Sequence, residues 1–235
     1  MRTGIEEVLF VSYLFLFFIF NIKFEKRLQK YINFVDYGRF YYLCIVKLIN
    51  MDTSQFLSRF LQEVRIHPNI TALKYGDTLI TNARLVQYIA PIMNELDTNP
   101  APMFALLAEH SVYTAAALFA AVFSGKQVLP VASSWTEEQR SRVLAHAGLT
   151  EILTAQRMEY YYWMTVEDAV DRLDNGLILL HDGQIVARRY DFSENGDLQP
   201  VNISLRELVD GNSGLDSYFG TEVMRLFSYF CRVKF

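Results

Sequence analysis

The sequence predicts an α/β fold in which helices pack on a mostly parallel sheet. Three observations predict it: helical and strand-like hydrophobic patterns alternate from Asp52 onward, the connections between them are short, and Met103 to Ala108 form an uninterrupted apolar run. Such a run is typical of a strand that is buried on both faces, as in parallel sheets. Strands that alternate with helices at short spacing favour right-handed crossovers, which leave neighbouring strands parallel.

The composition is typical of a chain with a folded core, and the net charge does not favour nucleic acid as a partner. Of the 235 residues, 51% are hydrophobic and 20% are charged, so the chain does not have the composition of a disordered protein. The net charge of -4 gives no basic excess for a nucleic-acid backbone, and no nucleic acid is expected as a partner. The two cysteines, Cys44 and Cys231, are far apart, which fits a reducing compartment and excludes a cysteine-based zinc site.

Residues 1–50 form a hydrophobic N-terminal extension that is richer in aromatic and aliphatic residues than the rest of the chain. Val8 to Phe20 (VLFVSYLFLFFIF) contain one polar residue, Ser12. As a helix this stretch rises about 20 Å, whereas the core of a bilayer requires roughly 20 apolar residues. The segment 8–22 is therefore a candidate for an apolar helix that spans a thin bilayer or inserts partly.

Two interpretations of this extension stay open. If segment 8–22 spans a membrane, the positive-inside rule places the following chain in the cytoplasm, because cations follow it at Lys23, Lys26, Arg27 and Lys30. Alternatively, residues 1–50 are non-native upstream sequence attached by a misplaced start, because Met51 opens a segment that begins like an ordinary domain, with Asp52 as a helix cap. Both interpretations predict a cytoplasmic chain, and the first adds a membrane anchor.

The region 52–154 is predicted to begin with a helix, a hairpin and a second helix. Apolar residues recur at helical spacing from Phe56 to Val64, and Gly76-Asp77 between two β-prone runs indicates the hairpin. Thr81 can cap the second helix, whose apolar residues lie on one side: Leu85, Val86, Ile89, Met93 and Leu96. Pro91 is expected to kink this helix or end it early, because proline lacks a backbone donor and crowds the preceding turn.

Strands and helices are predicted to alternate over the remainder of this region. After the apolar strand, the alanine-rich stretch Val112 to Phe123 predicts a helix that packs closely on its neighbours. Gln127 to Val131 and Glu151 to Leu153 are the next predicted strands. Between them, Thr136 and Gln139 form a capping box at the start of a helix that a glycine ends.

Residues 155–235 are predicted to continue the fold with helices and a hairpin. Capping patterns predict two short helices, at Thr165 with Asp168 and at Ser204 with Glu207. Leu177 to Leu180 and Gln184 to Tyr190 flank Asp182-Gly183, which predicts a β-hairpin. Thr221 to Phe235 is expected to be a helix, and its apolar end without a closing signal fits a truncated chain.

Several of these pieces together resemble the adenylate-forming enzymes, the superfamily of AMP-dependent synthetases and ligases that includes acyl-CoA synthetases and peptide-synthetase adenylation domains. Thr71-Ala72-Leu73, Leu79-Ile80-Thr81 and Leu85 resemble the opening hairpin and helix of that family. Ala120 to Val131 (AAVFSGKQVLPV) is similar to its second signature, in which a helix ends at a glycine and a strand runs into a proline. The order and spacing agree over Asp52 to Thr154. The resemblance implies part of the N-terminal subdomain of the adenylate-forming fold.

The sequence departs from the family pattern at three places. Asn82 stands where an aromatic residue is usual, Pro91 lies inside a helix, and Ser133-Ser134-Trp135 replaces a stretch that tends to contain Asp and Pro. In the intact family, a Ser/Thr/Gly-rich loop ending in Pro-Lys wraps the ATP phosphates, Mg²⁺ assists, and a C-terminal lysine stabilises the transition state. This sequence contains no Pro-Lys pair and no such loop. The matched signatures are scaffold, so no catalytic, cofactor-binding or metal-ligating residue is assigned.

The resemblance therefore predicts a truncated or split ligase-like protein that is not active alone. The intact family uses ATP to activate a carboxylate as an acyl-adenylate, and we expect this chain either to require a second polypeptide that completes the enzyme or to self-associate. The alternative function is a membrane-tethered, non-catalytic binding or interaction protein that segment 8–22 anchors.

The remaining features are weak candidates for a site. The histidines are scattered without metal-ligand spacing, and ordinary surface or hydrogen-bonded positions are expected for all of them: His67, His110, His146 and His181. His110 and Ser111 follow the apolar strand, where α/β sheets place ligands, although helix entry is the favoured interpretation. Tyr160 to Trp163 are expected to pack under a loop rather than to stack on a partner. Asp210 to Gly214 are expected to form a surface turn, and Tyr218 to Glu222 echo an aromatic-Gly-Thr-Glu segment of the family by chance.

Overall fold

The computed structural model describes residues 56–176, 180–193 and 195–232, which belong to the compact unit Met51–Phe235. The predicted N-terminal extension 1–50, its segment 8–22 and the cap at Asp52 lie outside the described residues. Within the described ranges, no helix combines the length and the apolar character that crossing a bilayer requires.

The described residues alternate helices and strands in the way that the hydrophobic pattern predicts. The helices are α1 (Phe56–Ile66), α2 (Asn82–Thr98), α3 (Val112–Phe123), α4 (Glu137–Ala147), α5 (Ala155–Met158), α6 (Val166–Asn175), α7 (Leu205–Asp210), α8 (Asp216–Phe219) and α9 (Thr221–Arg232). The strands are β1 (Thr71–Tyr75), β2 (Thr78–Thr81), β3 (Met103–Ala108), β4 (Gln127–Ala132), β5 (Ile152–Leu153), β6 (Ile185–Phe192) and β7 (Leu198–Ser204).

Several helix ends are fixed by the caps that the sequence predicts. The Thr81 hydroxyl accepts a hydrogen bond from the backbone N–H of Arg84 at the start of α2. The predicted capping boxes form at the starts of α4 and α7, so two orphan backbone donors are satisfied at each of these ends. Gly148 ends α4 with φ 70°, in the left-handed region that glycine enters without steric cost.

The main sheet has five strands in the order β5-β3-β4-β6-β7, and β1 with β2 forms a separate antiparallel hairpin. β5, β3, β4 and β6 run parallel, and β7 returns antiparallel to β6. The predicted α/β fold with a mostly parallel sheet is therefore confirmed.

The second predicted hairpin stays a prediction, because most of its first strand lies outside the described residues. Asp182-Gly183 does form a turn, but Leu180 lies in no strand, and residues 177–179 lie outside the described residues. The antiparallel partner of β6 is β7, with Tyr190 opposite Pro200. The Asp-Gly signal marks a local turn correctly, and among the described strands β4 and β7 lie on the two edges of β6.

Pro91 does not end α2, which continues to Thr98. The prediction of an early end is therefore wrong. Proline inside a helix costs about 3 kcal/mol. Ile89, Ala90, Ile92 and Met93 are all buried around it, and each large apolar side chain contributes roughly 1.5–3 kcal/mol on burial. Tertiary burial of the segment thus outweighs the local cost of the proline.

The core lies on both faces of the sheet. Alternate residues of β3 point to opposite faces: Leu106 belongs to the larger cluster with α2, α3 and α9, whereas Ala105 belongs to the smaller one with Val143 of α4. The larger cluster contains a stack of phenylalanine rings in which Phe119 and Phe227 lie 3.9 Å apart between ring centroids. The helices on the two faces hold the carboxyl ends of the parallel strands in place.

Candidate functional site

The connections that leave the carboxyl ends of β3 and β4 run in opposite directions across the sheet. β3 and β4 are neighbours, but α3 follows β3 and leads to β4, whereas α4 follows β4 and leads to β5 on the other side of β3. The two helices therefore leave on opposite faces and open a crevice. In open α/β sheets ligands bind in such a crevice, outside the carboxyl ends of the strands.

A cleft of about 480 Å³ opens beside the end of β3, which is within the size of small-molecule sites, roughly 300–1,000 Å³. Three chain segments that are distant in sequence line it: the end of β1 with the following turn, the second residue after β3, and the connection from α8 to α9. The lining residues are Lys74, Tyr75, Gly76, His110, Phe219, Gly220, Thr221, Glu222 and Val223.

The sequence left two roles open for His110 and Ser111, a place near a ligand site and the entry to a helix. In the structure the two residues differ in role. The Ser111 hydroxyl accepts a hydrogen bond of 3.2 Å from the backbone N–H of Thr114 and so caps α3. The His110 imidazole is exposed to the cleft and meets the Tyr75 ring edge-on, with 4.9 Å between the ring centroids. Helix entry is therefore confirmed for Ser111, while His110 forms part of a cleft wall.

The segment Phe219 to Val223, which overlaps the Tyr218 to Glu222 stretch, forms the opposite wall of the cleft. Gly220 has φ 85°, a left-handed backbone that favours glycine. A β-carbon at this position would lie 3.8 Å from Cε1 of His110, an ordinary van der Waals contact, so the positive φ rather than lack of space favours glycine here. The similarity of Tyr218 to Glu222 to a sequence motif of the family was expected to be chance. The structure nevertheless places Phe219 to Glu222 in the lining of the candidate site.

Within the cleft, burial and the nearby Glu222 change the pKa of the Tyr75 phenol. Burial raises the pKa of the Tyr75 phenol to about 12, and the negative charge of Glu222 adds to the shift. The cleft therefore offers a phenol donor at Tyr75 beside the side chains of Glu222 and Lys74. This set can bind a polar ligand by hydrogen bonds.

We expect the Tyr75 phenol to titrate near pH 12 in the folded chain, because burial first and Glu222 second raise its pKa from 10 to about 12. The folded chain holds this proton more tightly than the unfolded chain does. The contribution of Tyr75 to stability is therefore complete below pH 10 and is lost as the pH rises towards 12. An NMR pH titration of the tyrosine ζ-carbons measures the pKa, and Tyr75→Phe assigns the signal.

Glu222→Gln separates the two causes of this shift. We expect it to lower the Tyr75 pKa but to leave it above 10, because burial is the larger cause. Glu138→Gln, at an exposed position of α4 outside the cleft lining, is the matched control and should leave the Tyr75 pKa unchanged. A Tyr75 signal that titrates at 10 in the wild-type chain would contradict the packing of the cleft.

The other histidines stay apart from the cleft. His67 and His181 are exposed, and Nδ1 of His146 lies 3.0 Å from the hydroxyl of the buried Tyr190. Among the described residues, no group of three His, Cys, Asp or Glu side chains could hold a metal ion. The stretch from Asp210 to Gly214 is a turn between α7 and α8, as expected, but its Ser213 is buried.

Tyr160 to Trp163 do not pack under a loop as a unit, so that expectation is largely wrong. Only Tyr161 packs against the core, whereas Tyr160, Tyr162 and Trp163 are 82%, 87% and 43% exposed. Trp163 lies against Tyr88, with 5.4 Å between the ring centroids, and Tyr88 lies 5.1 Å from Tyr113. We call these exposed and half-buried rings the aromatic surface: Tyr88, Tyr113, Tyr160, Tyr162 and Trp163.

Sequence reasoning missed the hairpin residues Lys74 and Tyr75, because nothing in the local pattern distinguishes a β-hairpin that lines a cleft from one that does not. The one signal for the far wall was the Tyr218 to Glu222 segment. Pairing it with His110 requires the tertiary structure, because more than a hundred residues separate them.

The fold matches parts of solved adenylate-forming structures. The nonribosomal peptide synthetase FmoA3 matches with a TM-score of 0.55 and 16% identity over 75% of this chain and 22% of its own. The N-terminal subdomain of Klebsiella oxytoca NpsA, in complex with 3-hydroxyanthranilyl-AMSN, matches with a TM-score of 0.51 and 17% identity, over 65% of this chain and 41% of its own. VinN matches with a TM-score of 0.55 and 12% identity, over 74% of this chain and 56% of its own.

These matches confirm the fold of an adenylate-forming N-terminal subdomain, and at this identity they show the fold alone. The chain spans between 22% and 56% of the length of these three structures. No protein-family model matches the sequence, and no curated protein sequence matches it.

Proposed function

We propose that this chain, which has the fold of an adenylate-forming N-terminal subdomain, is one part of an enzyme that activates a carboxylic acid with ATP, and that it does not perform this activation alone. The observation that carries the proposal is the partial match: 74–75% of the chain superposes on FmoA3 and VinN, but it accounts for only 22% and 56% of those structures. The partner that we propose is a second polypeptide that supplies the remaining elements.

ATP and Mg²⁺ do not fit the residues that the structure describes. Charge that develops on phosphoryl oxygens requires backbone donors, a cation and usually a metal ion. The turn after β6, at the carboxyl end of a parallel strand, has the sequence SENGD, with two carboxylates and no lysine. Within this turn the Ser193 hydroxyl accepts the N–H of Asp197, and Arg142 donates to the carbonyl of Gly196 at 2.7 Å. The Asp197 carboxylate at this place would repel a triphosphate.

We expect the purified full chain to catalyse no carboxylate-dependent exchange between ATP and pyrophosphate. The assay would use pools of fatty, aryl and amino acids, with an intact adenylate-forming enzyme as the positive control and the chain without carboxylate as the blank. Exchange that appears when a neighbouring gene product with a Ser/Thr/Gly-Pro-Lys loop is added would support the two-polypeptide proposal. Exchange by the chain alone would refute it.

A second function is favoured by one feature of the sequence, the apolar stretch Val8 to Phe20. In this case the chain is a membrane-tethered, non-catalytic binding protein on the cytoplasmic side of the bilayer. Sedimentation with membranes that resists alkaline carbonate supports this function, whereas cellular chains that begin at Met51 exclude it.

A further inference from the structure

Several rings of the aromatic surface are exposed, although hydrogen bonds hold the loop that carries them. Tyr160 and Tyr162 are more than four-fifths exposed, and they flank Tyr161, which packs into the core. The loop that carries them is fixed at both ends: the Tyr161 N–H donates to the carbonyl of Met158 at 3.2 Å, and the Gln87 side chain donates to the carbonyl of Met164 at 2.9 Å. Rigid, exposed aromatic side chains of this kind are enriched in protein interfaces, because they bury a large area at little entropic cost.

Two opposite charges border this surface, and both lack an ion-pair partner among the described residues. The guanidinium of Arg84 lies 3.9 Å from the centre of the Trp163 ring. Glu159 directly precedes Tyr160, and its side chain is exposed. Both charges lie near Tyr113: burial is the main cause that raises the pKa of its phenol, Tyr88 and Glu159 raise it further, and Arg84 lowers it.

We propose that the aromatic surface is a self-association site, on which a second copy of this chain docks by a two-fold axis. In a two-fold interface, residue i of one copy meets residue j of the other, and j meets i. Arg84 and Glu159 carry opposite charges and have no ion-pair partner among the described residues, so in such an interface Arg84 of each copy can face Glu159 of the other.

The area of the surface sets the strength of this contact. Three side chains exposed by 82%, 87% and 43% offer roughly 400 Å² per copy and about 800 Å² per pair, because an aromatic side chain has about 200 Å². This area is below the ~1,200 Å² of standard stable interfaces. The self-association is therefore weak and reversible, with a dissociation constant in the micromolar range or above.

Charge exchange between two variants tests the proposal with the full chain. Arg84→Glu alone places two anions opposite each other, and Glu159→Arg alone places two cations opposite each other. We expect each variant to self-associate at least about tenfold more weakly than the wild type, because a like-charge juxtaposition in an interface costs several kcal/mol. An equimolar mixture of the two variants should restore association, because each variant offers the charge that the other lacks. Energy transfer between differently labelled chains and sedimentation velocity across protein concentration measure both effects.

Tyr162→Ala gives a test that does not depend on charge. Its side chain is 87% exposed, so we expect the circular dichroism to be unchanged while self-association weakens. Leu79→Ala, at an apolar position of β2 that is 58% exposed, and Arg225→Glu, at an exposed position of α9, are the matched controls and should leave association unchanged.

Four results would overturn the proposal. The first is a wild-type chain that stays monomeric at all concentrations, and the second is association that survives the charge substitutions. The third is a mixture of the two charge variants that associates no better than each alone. Loss of binding to phosphatidylcholine vesicles in Tyr162→Ala with unchanged self-association would also refute it and would assign the surface to lipid instead. None of these results depends on adenylation activity, so this proposal and the proposed function can fail separately.

Discussion

Phe119→Ala is expected to lower the free energy of unfolding by about 3–5 kcal/mol, the range measured when a large buried aromatic side chain is truncated. Phe119 has no exposed surface, and its ring centroid lies 3.9 Å from that of Phe227 and 5.7 Å from that of Phe60. These rings join α1, α3 and α9, whose sequence separation is large. Truncation leaves a cavity that three helices from different parts of the chain would have to close, and only part of it can close without moving the sheet.

Urea unfolding of the full chain, followed by circular dichroism, measures this change. Leu79→Ala removes a side chain that is 58% exposed and should change the free energy of unfolding by no more than about 0.5 kcal/mol. A loss of less than about 1 kcal/mol for Phe119→Ala would show that the ring stack can collapse onto the smaller side chain, against the close packing of protein cores.

Ala117→Leu is the second substitution with a large expected effect, a loss of about 1–3 kcal/mol from overpacking. α3 is buried from Thr114 to Phe123, so its alanine side chains have neighbours on every side. Ala117 has no exposed surface, and three added carbons would force neighbouring side chains out of their preferred rotamers. The alanine-rich composition of α3 is thus a condition for the close contact of α3 with the sheet and with α2.

The matched control for this prediction is the same substitution at an exposed alanine. Ala145 is exposed on α4, and Ala145→Leu should leave the unfolding midpoint in urea almost unchanged, since leucine and alanine are both good helix formers. Equal effects at the two positions would contradict the placement of α3 inside the core.

The two substitutions also bear on the candidate site. The cleft lies between the β1–β2 hairpin, the end of β3 and the start of α9, and α3 and α9 meet in the phenylalanine stack. A shift of α9 on α3 would move Gly220 relative to His110. A β-carbon placed on Gly220 would lie 3.8 Å from Cε1 of His110, so the two residues are neighbours in the cleft. We therefore expect Phe119→Ala to change the Tyr75 titration even under conditions in which the chain remains folded.

Local signals in the sequence determined where most elements begin and end. The Thr81 cap, the capping boxes at Thr136 and Ser204, and the glycine at the end of α4 each act through hydrogen bonds or backbone angles within a few residues. Such interactions do not depend on the rest of the fold, and for this reason they can be identified from the chain alone. The resemblance to adenylate-forming enzymes rests on the same kind of local pattern, and the structural matches confirm the fold.

Tertiary structure alone decided three further features. Pro91 stays inside α2 because the residues around it are buried by other helices, an energy that no local pattern contains. β6 pairs antiparallel with β7, a pairing that the sequence did not predict, because pairing depends on which strands compete for its edges. The cleft and the aromatic surface each combine residues from distant segments, such as Tyr75 with Glu222 and Arg84 with Trp163. Sequence fixes contacts between near neighbours, whereas contacts between distant residues follow from the free energy of the whole packed chain.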